Sequence, residues 1–118
     1  MIGFMDKKAI VLRTKRLLIT PMTEAETEEL ILRTPYADFG RQCKELLEDS
    51  KLDPDNRIWY LPWKISLKSD NTYIGEIGFF GPKKDSSVEI GFSILDEFRG
   101  NGYTSEALKV VTEWAFSN

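Results

Sequence analysis

The chain contains no histidine, and that absence narrows its chemistry more than any residue present. Without an imidazole, neither a Ser-His-Asp nor a Cys-His nucleophile can be assembled, and a conventional zinc site loses its usual nitrogen ligand. Cysteine is almost as scarce. Cys43 stands alone, so no intrachain disulfide forms. No apolar run is long enough to span a bilayer, and the N-terminus lacks a signal-peptide profile. The expectation is a cytoplasmic protein with no metal and no membrane partner. Positive charge is not in excess either. Sixteen Lys and Arg stand against 19 Asp and Glu, a net charge of −3, which argues against nucleic acid as a partner. The basic pairs Lys7-Lys8, Lys15-Arg16 and Lys83-Lys84 read as solvated faces or loop ends.

What remains is an ordinary globular composition. The 118 residues, 42% hydrophobic and 30% charged, predict one domain over residues 1–118 with a single core. There is no repeat, low-complexity tract or linker. Leu17 to Thr20 reads as a short strand ended by Pro21. Thr23, with Glu26 three residues on, forms a capping box for an acidic helix that stops near Thr34, before Pro35. A second helix begins near Asp38, with Phe39, Cys43, Leu46 and Leu47 on one apolar face. On that face Cys43 reads as a small core residue. Asp53 to Asn56 carries turn chemistry.

Strands follow. Trp63, Ile65 and Leu67 alternate with polar residues, and Pro62 places the start of that strand after itself or on an edge. Tyr73 to Phe80 is the next strand, where Gly75 and Gly78 suggest a bend or close backbone approach. Gly81 to Ser87 is a polar turn. Val88, Ile90, Phe92 and Ile94 alternate again, and Gly91 predicts a bulge. The last helix runs from about Tyr103 to Phe116, with Tyr103, Ala107, Val110, Val111 and Trp114 facing the sheet. Strand, helix, helix, three strands and helix make an α+β, or mixed α/β-layer, fold.

The richest segment is Glu97-Phe98-Arg99-Gly100-Asn101-Gly102-Tyr103-Thr104, at the junction between the last strand and the last helix. Glycine clears room for a ligand against bare backbone, and a helix start offers unpaired amides at the positive end of its dipole. Together they suit a phosphate or pyrophosphate. The segment lacks the Gly-Lys-Ser/Thr of a P-loop and the Gly-x-Gly-x-x-Gly of a dinucleotide fold.

Two stretches resemble the Gcn5-related N-acetyltransferases (GNAT), in particular the branch acting on ribosomal-protein N-termini and small amines. One is Thr14-Lys15-Arg16-Leu17-Leu18-Ile19-Thr20-Pro21-Met22, followed by the acidic helix start and similar to that branch's opening. The other runs from Tyr73-Ile74-Gly75-Glu76-Ile77-Gly78 through Val88–Ile94 into the glycine loop. The resemblance covers nearly the whole chain from Thr14. It implies a GNAT-like fold lacking the usual C-terminal strands and helix, with Glu97 standing where many members have Gln or Arg.

By the same resemblance, Arg99, Gly100, Asn101, Gly102, Tyr103 and Thr104 would cradle the pyrophosphate of acetyl-CoA, and Phe92, Ser93 and Ile94 would hold its pantetheine arm. A backbone N–H at that strand's bulge would polarise the thioester carbonyl. The implied reaction is direct attack of a primary amine, on a protein N-terminus or a small molecule. With no histidine, its general base is a carboxylate. Glu89 is the first choice; Glu76 is the weaker one, and Tyr73 reads as a strand aromatic. The short C-terminus would leave Val88–Ile94 as an open edge, which predicts a homodimer. The alternative is a non-catalytic CoA-binding or interaction module on the same scaffold.

Overall fold

A computed structural model describes residues 10–82, 85 and 87–118. The basic pairs Lys7-Lys8 and Lys83-Lys84 lie outside the described residues. Among the described residues, five strands form one antiparallel sheet in sequence order: β1 (Leu12–Arg13), β2 (Leu17–Pro21), β3 (Trp63–Leu67), β4 (Tyr73–Phe79) and β5 (Ile90–Ile94). Two helices, α1 (Glu24–Arg33) and α2 (Ala37–Leu52), connect β2 to the rest, and α4 (Tyr103–Ser117) follows β5.

Period-two alternation gives the sheet two unlike faces. Leu17, Ile19, Trp63, Ile65, Ile77 and Phe79 are buried on one, against Ala107, Val111 and Ala115 of α4. Trp59, Trp63, Phe79 and Trp114 interlock there, with ring centroids 4.8 to 6.1 Å apart. This aromatic cluster fixes α4, and therefore the turn before it, against the sheet. The other face is polar. Thr20, Lys64, Glu76 and Ser93 form one row across β2 to β5. The α1–α2 pair covers this row through Leu30 and Cys43, which cluster with Met22, Phe39 and Tyr73.

Local signals hold where chemistry is local. Thr23 caps α1 and accepts from the Glu26 amide at 3.0 Å, while the Glu26 carboxylate takes the Thr23 amide at 2.9 Å. The α1 helix ends before Thr34, as the following proline requires.

Several expectations are corrected. β1 was not anticipated. The Asp53–Asn56 turn is a 3-10 turn (Pro54–Asn56) continuing into a short helix, α3 (Arg57–Tyr60), which carries Trp59 into the core. β5 begins at Ile90, not Val88, so Glu89 precedes the ladder. The β4–β5 register runs unbroken through Gly91; the irregularity sits instead between Ile65 and Ser66. Gly91 serves packing, since a Cβ there would lie 2.8 Å from the Phe80 ring.

Candidate active site

The β5 strand is paired on one side only among the described residues. The Leu95 amide donates to the Ile74 carbonyl at 2.9 Å. Antiparallel alternation then turns the amides of Ser93 and Gly91 toward β4, and those of Phe92 and Ile94 toward the open edge. That edge leads through a 3-10 turn (Asp96–Phe98) into the glycine loop.

Gly100 and Gly102 have φ of +80° and +79°, a left-handed conformation that side chains rarely adopt. Asn101 ties the turn together, its amide donating to the carbonyls of Phe98 (3.1 Å) and Arg99 (3.3 Å). Gly102 is the N-cap of α4 and offers no side-chain cap. The first helical bond across it is from the Glu106 amide to the Gly102 carbonyl, at 3.2 Å. The amides of the first turn thus face outward without an intrahelical partner, and a Cβ on Gly100 would meet nothing within 4 Å. These donors and this open space fit an anion such as a pyrophosphate.

The surrounding charges are already organised. Arg99 donates through Nε to the Ile94 carbonyl at 3.2 Å and pairs through Nη1 with Asp96 at 3.2 Å. Glu106 is tied to the segment between β1 and β2. The Arg16 amide (2.9 Å), the Arg16 Nε (2.8 Å) and the Thr14 hydroxyl all donate to its carboxylate. Burial alone would raise the Glu106 pKa; these donors outweigh it and hold the carboxyl below its ordinary value. The Arg16 guanidinium also lies 4.4 Å above the Tyr103 ring.

Beside the open strand, between α1–α2 and β4–β5, lies a cavity of about 420 Å³. Its walls are mostly apolar, and Glu76, Arg33, Cys43 and Ser93 line it. Glu76 is buried, at 7% exposure. Burial pushes its carboxyl up to about 7, against the opposing charge of Arg33. Cys43 is raised to about 11, by burial first and then by the charge of Glu76. The Tyr73 hydroxyl nearby is buried without a hydrogen-bond partner among the described residues.

The residues singled out from the sequence divide in two. Phe92, Ser93, Ile94, Arg99, Gly100, Asn101, Gly102, Tyr103 and Thr104 follow one another along the open strand and turn. Glu89 is exposed and lines a separate, smaller hollow with Pro82 and Val88. Among the described residues, the carboxylate lining the large cavity is Glu76. Arg33 was missed, because nothing local marks the last residue of an acidic helix as a cavity residue. The Thr14–Arg16–Glu106 linkage was missed because its halves are 90 or more positions apart.

Comparison with known proteins agrees with this architecture. Residues 16–118 match the acetyltransferase (GNAT) domain family. An uncharacterized N-acetyltransferase, YoaA, of Bacillus subtilis (strain 168) is 27% identical over 120 aligned positions, covering 91% of this chain and 67% of its own. A GNAT-family acetyltransferase from Bacillus anthracis superposes with a TM-score of 0.62 at 18% identity, over 92% of this chain and 67% of that one. The ribosomal-protein-S5-alanine acetyltransferase of Vibrio fischeri gives 0.59 at 13% identity, over 92% and 68%. The chain thus spans about two thirds of the length of these relatives. It has the GNAT fold, and it belongs to the GNAT acetyltransferase family.

Proposed function

We propose that this chain is an acetyl-CoA-dependent N-acetyltransferase acting on a primary amine. Acetyl transfer is the chemistry its family supports. The observation that carries the reading is the position of Glu76. A buried carboxyl, titrating near neutrality, stands directly across the ladder from Ser93 on the strand that leads into the uncapped glycine turn. A base poised near the working pH is what removal of an ammonium proton needs. Glu89, exposed and outside the large cavity, is the second candidate base.

Acetyl-CoA would supply the acyl group as a thioester. The outward amides of Tyr103 and Thr104, with the turn Arg99–Gly102, would hold its pyrophosphate. The open-edge amides of Phe92 and Ile94 would bind the pantetheine arm and polarise the thioester carbonyl. Glu76 takes one proton from the bound ammonium. The freed nitrogen forms its bond to the acetyl carbon as the carbon–sulfur bond breaks. The second amine proton ends on the sulfur, and Glu76 returns its own to water.

Three further elements belong to the same proposal. The whole chain acts as one domain. It self-associates as a symmetric dimer. It works in the cytoplasm, which suits an unpaired, buried Cys43; among the described residues no helix is long and apolar enough to cross a membrane.

The test is acetyl transfer from acetyl-CoA to a panel of primary amines, with Glu76→Gln, Glu89→Gln and Gly102→Val beside the parent chain. Transfer that Glu76→Gln lowers a hundredfold or more, and Glu89→Gln leaves intact, supports the reading. A reversed pattern moves the base to Glu89. Tight acetyl-CoA binding with no transfer to any amine replaces the enzyme with a CoA-binding module. Sedimentation velocity across a concentration series tests the dimer, and a single monomer boundary throughout removes it.

A further inference from the structure

The large cavity brings together two opposite charges on mostly apolar walls that also carry Gln42 and Ser93. Glu76 enters it from β4, and Arg33 from the last turn of α1. The Arg33 guanidinium rests 4.8 Å from the centre of the Tyr73 ring and forms no ion pair among the described residues. Lys64, beside Glu76 in the sheet row, is already committed to Glu26. Among the described lining residues, the Glu76 carboxyl and the Arg33 guanidinium are therefore the charges left for a ligand. Leu30, Phe39, Leu46 and Phe80 supply apolar wall. About 420 Å³ is the size of a small-molecule site rather than of a packing defect.

Each simpler ligand leaves part of this arrangement unanswered. A plain hydrocarbon would leave the buried Glu76 carboxyl without a partner and make no use of Arg33, which is exposed at the cavity's rim. A simple amine would answer Glu76 and leave Arg33 idle. A peptide N-terminus would present an amide where Arg33 offers a planar fork suited to a carboxylate. We propose that the acceptor is a free α-amino acid with a large apolar side chain, its ammonium at Glu76, its carboxylate at Arg33 and its side chain among Leu30, Phe39 and Leu46. This assignment of an acceptor rests on the transferase reading above; the binding it describes does not. The product would be the N-acetyl amino acid, by the proton and bond changes already given.

The experiment is calorimetric titration of the intact chain with phenylalanine, phenethylamine and phenylalaninamide, repeated on Arg33→Gln and Arg33→Lys, with acetyl-CoA titrated into each. Phenethylamine lacks the carboxylate, and the amide stands in for a peptide N-terminus. Phenylalanine should bind at least tenfold tighter than either. Arg33→Gln should abolish that preference, Arg33→Lys should restore part of it, and acetyl-CoA affinity should not change. A general loss of folding would instead lower every affinity together, and melting curves identify it. Phenylalanine binding no tighter than the two analogues, a preference that survives Arg33→Gln, or no binding of any of the three overturns the assignment. If acetyl-CoA fails to bind while the Arg33-dependent preference is present, the amino-acid site stands and the transferase reading falls. If acetyl-CoA binds and the preference is missing, the reverse holds.

Discussion

Arg16 and Glu106, 90 positions apart, meet at 2.8 Å and join the turn between β1 and β2 to the helix that follows the glycine turn. The Arg16 amide and the Thr14 hydroxyl converge on the same carboxylate. The residue that begins the α4 ladder is therefore held from outside the helix. Glu106→Ala would leave these donors unmatched. Because the Arg16 side chain is 41% exposed, water and salt offset much of the loss. A cost of about 1–2 kcal/mol in urea unfolding is expected, together with weaker acetyl-CoA binding. Unchanged stability and affinity would reduce the linkage to a surface contact.

The glycine turn allows its two requirements to be tested separately. At Gly100 there is space for a side chain but φ is +80°, so Gly100→Ala probes backbone conformation with little steric interference. About 1 kcal/mol of destabilisation is expected. At Gly102, φ is +79° and a Cβ would lie 3.5 Å from the Arg16 guanidinium. Gly102→Val adds a branched side chain at the start of the helix. It should abolish acetyl-CoA binding, measured by calorimetry, while circular dichroism shows the helices retained.

Glu76 makes stability depend on pH with a definite sign. Its carboxyl rises from 4.5 in the unfolded chain to about 7 in the fold, so folding favours the protonated form. That contribution is complete below pH 4.5 and is lost as pH rises through about 7. The groups facing it are Arg33 of α1, Cys43 of α2, Lys64 of β3 and Ser93 of β5. Glu76→Gln removes the ionisation. Relative to the parent, the variant should gain stability from pH 5 to pH 8, on the order of 3 kcal/mol. Thermal unfolding at both pH values reads this directly, and parallel pH profiles for the two proteins would contradict it.

Much of this organisation is legible in the sequence because its causes are local. Thr23 and Glu26 are three residues apart, and their capping box depends on nothing distant. Period two in Trp63–Leu67 and helical spacing in Tyr103–Phe116 place both elements correctly. What escapes is set by approach in space. Gly91 reads as a bulge, yet its small size accommodates Phe80, eleven positions earlier. Glu89 reads as a strand residue because Val88 continues the alternation, but pairing with β4 begins at Ile90. Arg33 and Glu76 share a cavity only once α1 has packed over the polar face of the sheet. Alternation shows which residues share a face; it does not show which face stays open.

Cys43 offers a check on this electrostatic picture that requires no ligand. The thiol is buried at 2% exposure, and its pKa of about 11 leaves roughly one part in a thousand as thiolate at pH 8. An aromatic disulfide reagent should therefore react with the native chain far more slowly than with the chain in denaturant. Burial is the larger cause of the raised pKa, and the charge of Glu76 is the second. Replacing Glu76 with Gln removes that second cause, so native Cys43 should react faster in the variant, with the difference growing from pH 6 to pH 8 as Glu76 ionises in the parent. Equal rates across that range would mean that the carboxylate does not reach the thiol, and that the polar floor of the cavity is better shielded than its geometry implies.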